Sequence, residues 1–548
     1  MEMKIRQRCS LSLLVVVCVF LSPAFLGTSS FGQDNQAPAA APKIAPQEIE
    51  KIEKLIGAAN ELRDRLQNDP QRPKYHFMPP WAWVNDPNGP IFWKGRYHLF
   101  YQFNPNAGTW GLMHWGHASS KDLVHWTHHP IALRPTPGGP DRDGIFSGGA
   151  VINHGVPTLI YHGVPDGTCI ATSEDDDLIH WKKCPQNPVI PVPKADQKVE
   201  YGVYDPCAWK QGDTWYALTG WGRNFARPNA PEGDTAFLFK SPDLVHWEYV
   251  HPFYQSDRRW TDADEDCAVP DFFPLGKKWA LFFASHKRGC QYYLGRYEND
   301  HFYPEQHARL NWSGGQVIAP ITMQDDRGRR ILFTWINEAR LEPRHRVGGW
   351  AGIMGLPRVL TLPNDNLLRI EPVPEIESLR FNGRQRSKFM LEGNAGVDIG
   401  EMRGDCLEIQ LELSPLHAQQ VGLLVRCSPD GTEQTAIFYD VATKTLRVDG
   451  SKASLIAEEP PLVPILPPEE RKIRTQVAPF TLADGEPLKL RVFLDRSVVE
   501  VFVNGRQAVA QHIYPSRPDS LGTRVFSRGG RARVTRLQAW DMAATGSF

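Results

Sequence analysis

The chain has 548 residues, of which 41% are hydrophobic and 22% are charged, and its formal net charge at pH 7 is -1. This length exceeds one ordinary hydrophobic core, so we expect two or more domains. The near-zero net charge excludes the broad basic surface of a nucleic-acid-binding protein.

The first 32 residues have the order of a secretory signal peptide. Lys4, Arg6 and Arg8 precede an apolar run over residues 11–21, which is followed by small residues. The run is too short to span a bilayer comfortably, and no later stretch is long enough and apolar enough to do so. We predict a secreted or periplasmic protein without a membrane span after signal cleavage, with an uncleaved anchor as the alternative.

Cysteine usage indicates neither a disulfide framework nor a metal site. Cleavage of the signal would remove two of the nine cysteines, and the seven that remain are odd in number and scattered. They show no paired zinc-ligand spacing. A pairing of Cys406 with Cys427 across neighbouring strands is the one disulfide that the sequence leaves open.

Residues 33–72 form a linker and a helix. The stretch APAAAPKIAP is rich in alanine and proline, as linkers are. Residues 47–66 then place apolar side chains at helical spacing among charges. This pattern predicts one amphipathic helix that packs on the main body and ends at Pro70 and Pro73.

Short β runs separated by turns dominate residues 73–376. A tag recurs among them as SKDLVHW, SEDDDLIHW and SPDLVHW, ending at Trp126, Trp181 and Trp247. The intervals of 55 and 66 residues are typical of propeller blades, and the segment has room for about five of them. We interpret the His-Trp pairs of the tag as structural packing residues.

Alternation of apolar and polar residues marks a second all-β unit over residues 377–548. The segment LLRIEPVPEIESLR, with its prolines and charges, precedes it and is typical of a domain junction. Runs such as CLEIQLEL, LKLRVFLD and SVVEVFVNG then favour a β-sandwich. The predicted fold is all-β: a short helix, a five-bladed β-propeller and a C-terminal β-sandwich.

Three acidic residues lie in separate predicted blades. Asp86 is fixed in WVNDPNGP, Asp205 lies in VYDPCAW, and Glu265 lies in DADEDCAVPDFF. Asn, Asp, Pro and Gly also cluster in ordinary turns, so this stretch alone does not identify Asp86 as a catalytic residue. However, the first strands of propeller blades converge on one central pocket, and retaining glycoside hydrolysis needs two carboxyl groups that flank the scissile bond.

The motifs around these residues resemble glycoside hydrolase family 32, which contains invertases, inulinases and levanases. WVNDPNG, YHLFYQFNP, WGHASSKDLVHW, FSGGAV, YDP, the acidic-Cys-Pro-Asp-Phe region and GGWAGIMGLPRVL occur in the family's order. LDRSVVEVFVNG resembles the family's C-terminal signature. The resemblance covers nearly everything from His76 to the end of the chain.

This resemblance implies a role for each acidic residue. Asp86 would be the nucleophile that attacks the anomeric carbon of a β-D-fructofuranosyl unit, and Glu265 would be the acid/base. Asp205 would bind fructose hydroxyls and stabilise the transition state. The same resemblance implies that further side chains line the fructose pocket, namely Asn85, Gln102, Trp110, Phe146, Ser147 and Trp350.

Two departures from the family pattern affect this site. Tyr204 stands where the family has an arginine before Asp205, so the substrate-binding side chain there offers a hydrogen bond but no permanent charge. We expect Arg223 or Arg227, from a nearby loop, to compensate.

The second departure concerns the acid. The family has Glu directly before Cys, whereas here Glu265-Asp266-Cys267 is followed by Ala268-Val269-Pro270-Asp271. Alignment on the cysteine leaves Asp266 in the acid's place, and alignment on Pro-Asp-Phe leaves Ala268 there. We predict Glu265, whose extra methylene gives reach, with Asp266 as the alternative acid/base.

The sequence therefore predicts an exported retaining glycoside hydrolase that cleaves β-D-fructofuranosyl linkages in sucrose, inulin or levan. The mechanism calls for no metal and no cofactor. One alternative is a related five-bladed propeller glycosidase that acts on another furanoside or glycan, and such relatives often invert configuration. The other is a non-catalytic glycan-binding protein. Exo or endo cleavage and the oligomeric state stay open.

Overall fold

The computed structural model describes residues 46–194, 196–197, 199–220, 233–456 and 473–546. The predicted signal peptide and most of the predicted linker lie outside these residues. The chain divides into two compact units, Met1–Ala58 and Ala59–Phe548. Helix α1 (Pro46–Asn68) begins in the first unit and ends in the second, where Leu66 is buried. Within the described residues, no helix combines the length and apolar character needed to cross a membrane.

Five antiparallel sheets form a propeller, as the tag spacing predicts. Their first strands contact one another in a closed ring, so each contributes to the centre of the propeller. Blade 1 contains β1 (Ala82–Trp93), β2 (Arg96–Asn104), β3 (His114–Ser120) and β4 (Trp126–Leu133), and blade 2 contains β5 (Gly144–Asn153), β6 (Val156–Val164), β7 (Gly167–Ser173), β8 (Trp181–Lys183) and β9 (Ile190–Pro191). Blade 3 contains β10 (Cys207–Gln211), β11 (Thr214–Thr219), β12 (Thr235–Ser241) and β13 (Glu248–Gln255). Blade 4 contains β14 (Ala268–Leu275), β15 (Lys278–Ser285), β16 (Gly289–Glu298) and β17 (His301–Arg309).

The fifth blade also closes the ring. It contains β18 (Val317–Gln324) and β19 (Arg330–Ile336), followed after helix α2 (Glu342–Gly348) by β20 (Trp350–Ala351), β21 (Ile353–Met354), β22 (Arg358–Thr361) and β23 (Arg369–Pro372). Strands β18, β19, β22 and β23 form the sheet, with β21 paired to β19. Strand β20 instead pairs in parallel with β1 of the first blade. The chain therefore ties its last blade to its first.

The recurring tag is structural, as its spacing suggests. In each copy the leucine adopts a positive φ, and the tryptophan indole three residues later donates a hydrogen bond to that leucine's carbonyl oxygen. In each tag an aspartate accepts hydrogen bonds from the histidine of the same tag. This aspartate directly precedes the leucine in the first and third tags and lies three residues before it in the second. These local bonds satisfy the backbone of a tight turn between neighbouring strands.

A β-sandwich of two antiparallel sheets follows a 3-10 helix (Pro374–Leu379). The first sheet contains β24 (Arg380–Arg386), β25 (Phe389–Leu391), β27 (Cys406–Ser414), β32 (Leu488–Asp495), β33 (Val498–Val503), β34 (Gln507–His512) and β36 (Ala532–Met542). The second contains β26 (Ala395–Asp398), β28 (Gln420–Cys427), β29 (Thr435–Asp440), β30 (Thr445–Asp449), β31 (Thr475–Pro479) and β35 (Gly522–Arg528). Alternate residues of both sheets form the core, and all seven cysteines of the described residues, Cys406 and Cys427 included, are unpaired.

A buried ionic cluster, which we call the junction cluster, joins the propeller to the sandwich. It comprises His76, Arg358, Asp495 and Glu500, all with fully buried side chains. His76 Nδ1 lies 2.9 Å from Asp495 Oδ2 and its Nε2 lies 3.0 Å from Glu500 Oε1, while Arg358 donates to Glu500 Oε2 at 2.7 Å. Every charge in this cluster therefore has an opposite partner.

Candidate active site

A cavity of about 300 Å³ opens at the centre of the propeller. Residues from the first strands of four blades line it, together with residues of the second strands β2, β15 and β19 and of the adjoining turns. The polar residues in the described part of its lining are Asn85, Asp86, Gln102, Tyr204, Asp205, His286 and Asn337. Apolar walls with a few converging polar groups are typical of small-molecule sites, and this volume is at the small end of their range.

Asp86 lies at an irregularity of β1, where the register with β2 shifts between Val84 and Pro87. Its Oδ2 accepts hydrogen bonds from Ser147 Oγ at 2.5 Å and from Gln102 Nε2 at 3.4 Å, and its Oδ1 accepts one from Asn85 Nδ2 at 3.2 Å. Burial raises the pKa of Asp86 above its usual range, although the hydrogen bonds and the nearby charge of His286 oppose that rise. The carboxylate is thus held rigidly at the cavity wall.

The predicted binding residues around Asp86 form one connected set. Gln102 Nε2 also donates to Ser147 Oγ at 2.6 Å, and Trp83 Nε1 donates to Asn85 Oδ1 at 2.9 Å, which fixes the Asn85 amide. Phe146 lines the cavity next to this set. Trp110 is 57% exposed and also lines the cavity, with its ring at 6.1 Å from Phe146.

Asp205 faces the same cavity from the segment before β10. It is 4% exposed and has a φ of 41°, a strained conformation for a residue other than glycine. Its Oδ1 has no hydrogen-bond partner within the described part of the chain. Burial, together with the Asp86 carboxylate, raises the pKa of Asp205 well above its usual range, and the nearby charge of His286 opposes that rise. A buried acceptor of this kind is suited to the hydroxyl group of a ligand.

Tyr204 also lines the cavity and is buried, with its ring near those of His162 and Phe146. Burial raises the pKa of its phenol well above the usual value, so the hydroxyl is neutral. Arg223 and Arg227, the residues expected to compensate for the missing arginine, lie outside the described residues.

Glu265 does not line the cavity, contrary to the sequence prediction. Its carboxylate is fully buried and pairs with Arg309 at 2.9 Å, and it also accepts from Gln291 Nε2 at 2.8 Å. Burial alone would raise the pKa of Glu265, but Arg309 and Gln291 outweigh that effect and lower it. A carboxyl group that stays ionised and pairs with an arginine is poorly suited to donate a proton.

Asp266, the alternative acid, is 2% exposed and lies behind the cavity wall. Its Oδ1 accepts from the backbone N–H of His286 at 2.8 Å, and its Oδ2 accepts from His286 Nδ1 at 2.5 Å. The side chain of His286, which is 21% exposed, stands between Asp266 and the cavity. Ala268, the residue that alignment on Pro-Asp-Phe puts in the acid's place, lines the cavity and carries no ionisable group.

Trp350 is a second correction. It is fully buried and does not line the cavity; its Nε1 donates to Asp69 at 2.7 Å, and the Arg340 guanidinium lies 3.8 Å from its ring. Trp335, from β19, lines the cavity instead. Strand β20 is held between β1 and the buried pair of Arg340 with Glu338, which turns Trp350 away from the cavity.

Sequence reasoning missed His286, Trp335 and Asn337. A signal for His286 exists in the hairpin of β14 and β15, because its register pairs Ala268 with Ala284. The same register continued by two residues puts Asp266 opposite His286. No comparable local signal exists for Trp335 and Asn337, since β19 meets the cavity only through ring closure. The described residues contain no group of three or more His, Cys, Asp or Glu that could hold a metal ion.

Comparison with known proteins agrees with this architecture. The family model for the N-terminal domain of glycosyl hydrolases family 32 matches residues 76–372, and the model for the family's C-terminal domain matches residues 375–541. A sucrose-6-phosphate hydrolase of Zymomonas mobilis is 32% identical, over 89% of this chain and 96% of its own length. A levanase of Bacillus subtilis is 31% identical, over 88% of this chain and 72% of its own length.

Solved structures agree with the fold. The crystal structure of fructan 1-exohydrolase IIa from Cichorium intybus superposes with a TM-score of 0.76 at 26% identity, over 87% of this chain and 98% of that one. A β-fructofuranosidase of Bombyx mori superposes with a TM-score of 0.68 at 25% identity, over 92% and 100% of the two chains.

Proposed function

The chain belongs to glycosyl hydrolase family 32 and is a glycoside hydrolase, and from this membership we propose that it cleaves β-D-fructofuranosyl linkages in unphosphorylated sucrose or fructans by double displacement. Asp86 is the nucleophile in this proposal. Asp205 binds hydroxyl groups of the fructosyl unit and stabilises positive charge at its anomeric carbon. The products are free fructose and the remaining saccharide.

The observation that carries the proposal is the fixed Asp86 carboxylate. Ser147, Gln102 and Asn85 hold both of its oxygens at the wall of the cavity. Three donors and the positive His286 favour the ionised form, which is the one that attacks carbon. Because the donors also fix its direction, little reorganisation is needed to bring it onto a sugar bound in the cavity.

Asp205 supports the same chemistry from the opposite part of the ring. Its buried, unpartnered oxygen can accept a sugar hydroxyl, and a second carboxylate near the anomeric carbon stabilises an oxocarbenium-like transition state. Tryptophan rings at the cavity, Trp83 and Trp335 at its base and Trp110 at its mouth, supply apolar faces on which a furanose can pack.

In the described part of the lining, which does not include Arg223 and Arg227, nothing favours a phosphorylated substrate. No lysine or arginine is among the described residues that line the cavity. Phosphate groups are recognised in proteins chiefly by such permanent cations, above all by arginine. We therefore propose sucrose or a fructan rather than a phosphorylated sucrose, although the relative from Zymomonas mobilis is named for sucrose 6-phosphate.

A substrate panel tests the proposal. The full chain is incubated with sucrose, sucrose 6-phosphate, inulin and levan, and the released fructose is quantified by chromatography. We expect fructose from at least one unphosphorylated substrate, and a kcat/KM for sucrose 6-phosphate at least about tenfold lower than for sucrose, because a phosphate without a cation costs over 1 kcal/mol. Early NMR spectra should show retained configuration. No fructose from any substrate, or inverted product, would contradict the proposal.

We also propose that the protein is exported. The basic residues before the apolar run over residues 11–21 support this proposal. Expression of the full chain in a bacterial host, followed by fractionation and N-terminal sequencing, tests it. We expect a mature protein that begins near residue 33 in the periplasmic or culture fraction. A full-length cytoplasmic product would contradict it.

A further inference from the structure

No carboxyl group other than those of Asp86 and Asp205 lines the described part of the cavity, so the proton donor has to be sought among other residue types. Glu265 is paired with Arg309 outside the cavity, and Ala268 has nothing to donate. Asp86 and Asp205 are assigned to attack and to stabilisation. Hydrolysis of a sugar with a poor leaving group nevertheless requires that a proton reach the departing oxygen. Among the described residues that line the cavity, the remaining titratable groups are His286 and Tyr204.

His286 is fixed with one ring nitrogen directed away from its partner. Asp266 accepts hydrogen bonds from the backbone N–H and from Nδ1 of His286, at 2.8 Å and 2.5 Å. Nδ1 therefore carries a proton and is engaged, while Nε2 has no hydrogen-bond partner within the described residues. The ring lines the same cavity as Asp86 and Asp205 and is 21% exposed to it.

We propose that His286 is the general acid/base of this enzyme and that Asp266 is its positioning residue. This inference rests on the proposed double displacement at Asp86. In the first step the Asp86 carboxylate forms a bond to the anomeric carbon while the glycosidic C–O bond breaks, and the Nε2 proton of His286 moves to the departing oxygen. In the second step neutral His286 takes a proton from water, the hydroxyl bonds to the anomeric carbon, and Asp86 leaves as a carboxylate.

The charges around the ring fit both steps. Burial alone would lower the pKa of His286, but Asp266, Asp205 and Asp86 outweigh it and raise the pKa to about 9, so the ring is protonated at neutral pH. These groups come from the turn before β14, the segment before β10 and strand β1; the neutral Tyr204 also faces the cavity. Once Asp86 is esterified its charge is gone, and the pKa of His286 falls towards that of a base.

Asp266 itself is a weaker candidate for the acid. Both of its oxygens already accept hydrogen bonds from His286, and the imidazole separates it from the cavity. A protonated Asp266 would donate to the ring and not to a sugar. Its role is therefore the one that carboxylates commonly have beside histidine, namely to fix the tautomer and stabilise the imidazolium.

The test compares two substrates that differ in their need for a proton. Sucrose requires protonation of its leaving oxygen, whereas a 4-nitrophenyl β-D-fructofuranoside releases a stable nitrophenolate without it. For His286→Ala we expect a loss of about 10²- to 10⁴-fold in kcat/KM on sucrose but less than about tenfold on the nitrophenyl substrate. Sodium azide, a nucleophile that needs no base, should accelerate turnover of the variant and yield fructosyl azide.

Three further variants sharpen the assignment. Lys287→Ala is the matched control, because Lys287 is next to His286 in the chain but pairs with Asp264 and does not line the cavity. We expect this variant to have the wild-type kcat/KM on both substrates. Glu265→Gln should keep the wild-type ratio between the two substrates. In Asp266→Asn the alkaline limb of the kcat/KM profile should move to lower pH, because the acid loses the anion that stabilises its protonated form.

The results separate the two proposals. If Asp86→Ala retains turnover of either substrate, or if the wild type releases no fructose, the double displacement at Asp86 fails. If the wild type is active but His286→Ala keeps its activity on sucrose, or loses equal activity on both substrates with its thermal unfolding unchanged, the acid/base assignment to His286 is overturned. A selective loss on sucrose in Glu265→Gln or Asp266→Asn, with His286→Ala unaffected, overturns it as well.

Discussion

The junction cluster and the active-site cavity each hold one histidine among carboxylates. In both places burial opposes the charged imidazole and neighbouring carboxylates overcome it, so that the pKa values of His76 and His286 both rise to about 9. The two sites differ in connectivity. His76 has a carboxylate on each ring nitrogen, whereas His286 has one on Nδ1 only.

This difference separates a structural charge network from a reactive one. In the junction cluster every charge meets an opposite charge, and Arg358 completes the set. In the cavity Asp205 keeps an unpartnered oxygen. Among the described residues the hydrogen bonds of His286 use its backbone N–H and Nδ1, and none uses Nε2. A ligand can satisfy these groups, and the folded protein carries their cost until it binds. A shifted pKa alone thus fails to identify a catalytic residue, and so does an unfilled position alone, because Arg358 Nε and Nη1 in the junction cluster also lack partners among the described residues. Unfilled positions on groups that line a cavity distinguish the reactive network.

The largest expected effect is loss of activity without loss of stability. Asp86→Ala should reduce fructose release by at least about 10⁴-fold, as expected when a nucleophile is removed. Because a buried carboxylate with a raised pKa disfavours folding, the free energy of unfolding should stay the same or increase. Kinetic assays and denaturant unfolding of the same preparation measure both. If Asp86→Ala is inactive because it is unfolded, the predicted difference between the active-site cavity and the junction cluster is wrong.

The reverse pattern should appear in the junction cluster. Glu500→Gln leaves the fully buried Arg358 guanidinium without its anionic partner, which typically costs about 3–5 kcal/mol of unfolding free energy. Since the cluster does not line the cavity, kcat of the folded fraction should stay within about twofold of the wild type. Guanidinium unfolding and kinetics below the melting temperature measure this. Glu298→Gln, at the exposed ion pair with Arg296 in the fourth blade, is the control and should be nearly neutral.

The two histidines also predict how stability depends on pH. Both have folded pKa values of about 9, above the unfolded value of 6.5, so each contributes stability that is complete below pH 6.5 and is lost as the pH rises through 9. Each contribution is at most roughly 3 kcal/mol. Unfolding free energies measured between pH 6.5 and 9.5 should therefore fall steeply in the wild type and less steeply in His76→Gln and in His286→Gln. Equal slopes in all three proteins would contradict this assignment of the linkage.

The smallest expected effect concerns the support of Asp86. Ser147→Ala removes the hydrogen bond that Ser147 Oγ donates to the carboxylate at 2.5 Å. A hydrogen bond to a charged group contributes about 1.5–3 kcal/mol, so kcat/KM should fall about 10- to 100-fold. Steady-state kinetics measure this. Ser173→Ala, which removes a serine bonded only to its own turn in the second blade, should leave kcat/KM unchanged.

Much of the fold follows from local sequence. The tag that ends at Trp126, Trp181 and Trp247 encodes a turn by short-range hydrogen bonds, and its spacing counts blades before any tertiary contact is known. The alternation after residue 377 likewise predicts sheets with one buried face. These features can be predicted from the sequence because the interactions that cause them act between residues close together in the chain.

The candidate site was only partly predictable because two of its features depend on distant partners. Glu265, which lies just before β14, turns away from the cavity to reach Arg309 in β17 of the same blade, and no local pattern distinguishes that pairing from catalysis. The residues Ala268 and Val269 occur at a shift of register between β14 and β15, which moves the acidic residues off the cavity wall. Trp350 is held by Asp69, which is 281 residues away in the chain, as well as by the nearby Arg340.

Because the ring closes through β20, the propeller can be completed only late in synthesis of the chain. Strand β1, which carries Asp86, has β2 on one side and β20 on the other, and β20 is synthesised about 270 residues later. At roughly 5–20 residues per second, the ribosome reaches it some tens of seconds after β1 has emerged. The residues just before β1 bind Asp495, which is translated later still. A nascent chain that stops before β20 thus has an open ring, and one that stops after the propeller but short of β32 still lacks the Asp495 carboxylate that holds the residues before β1.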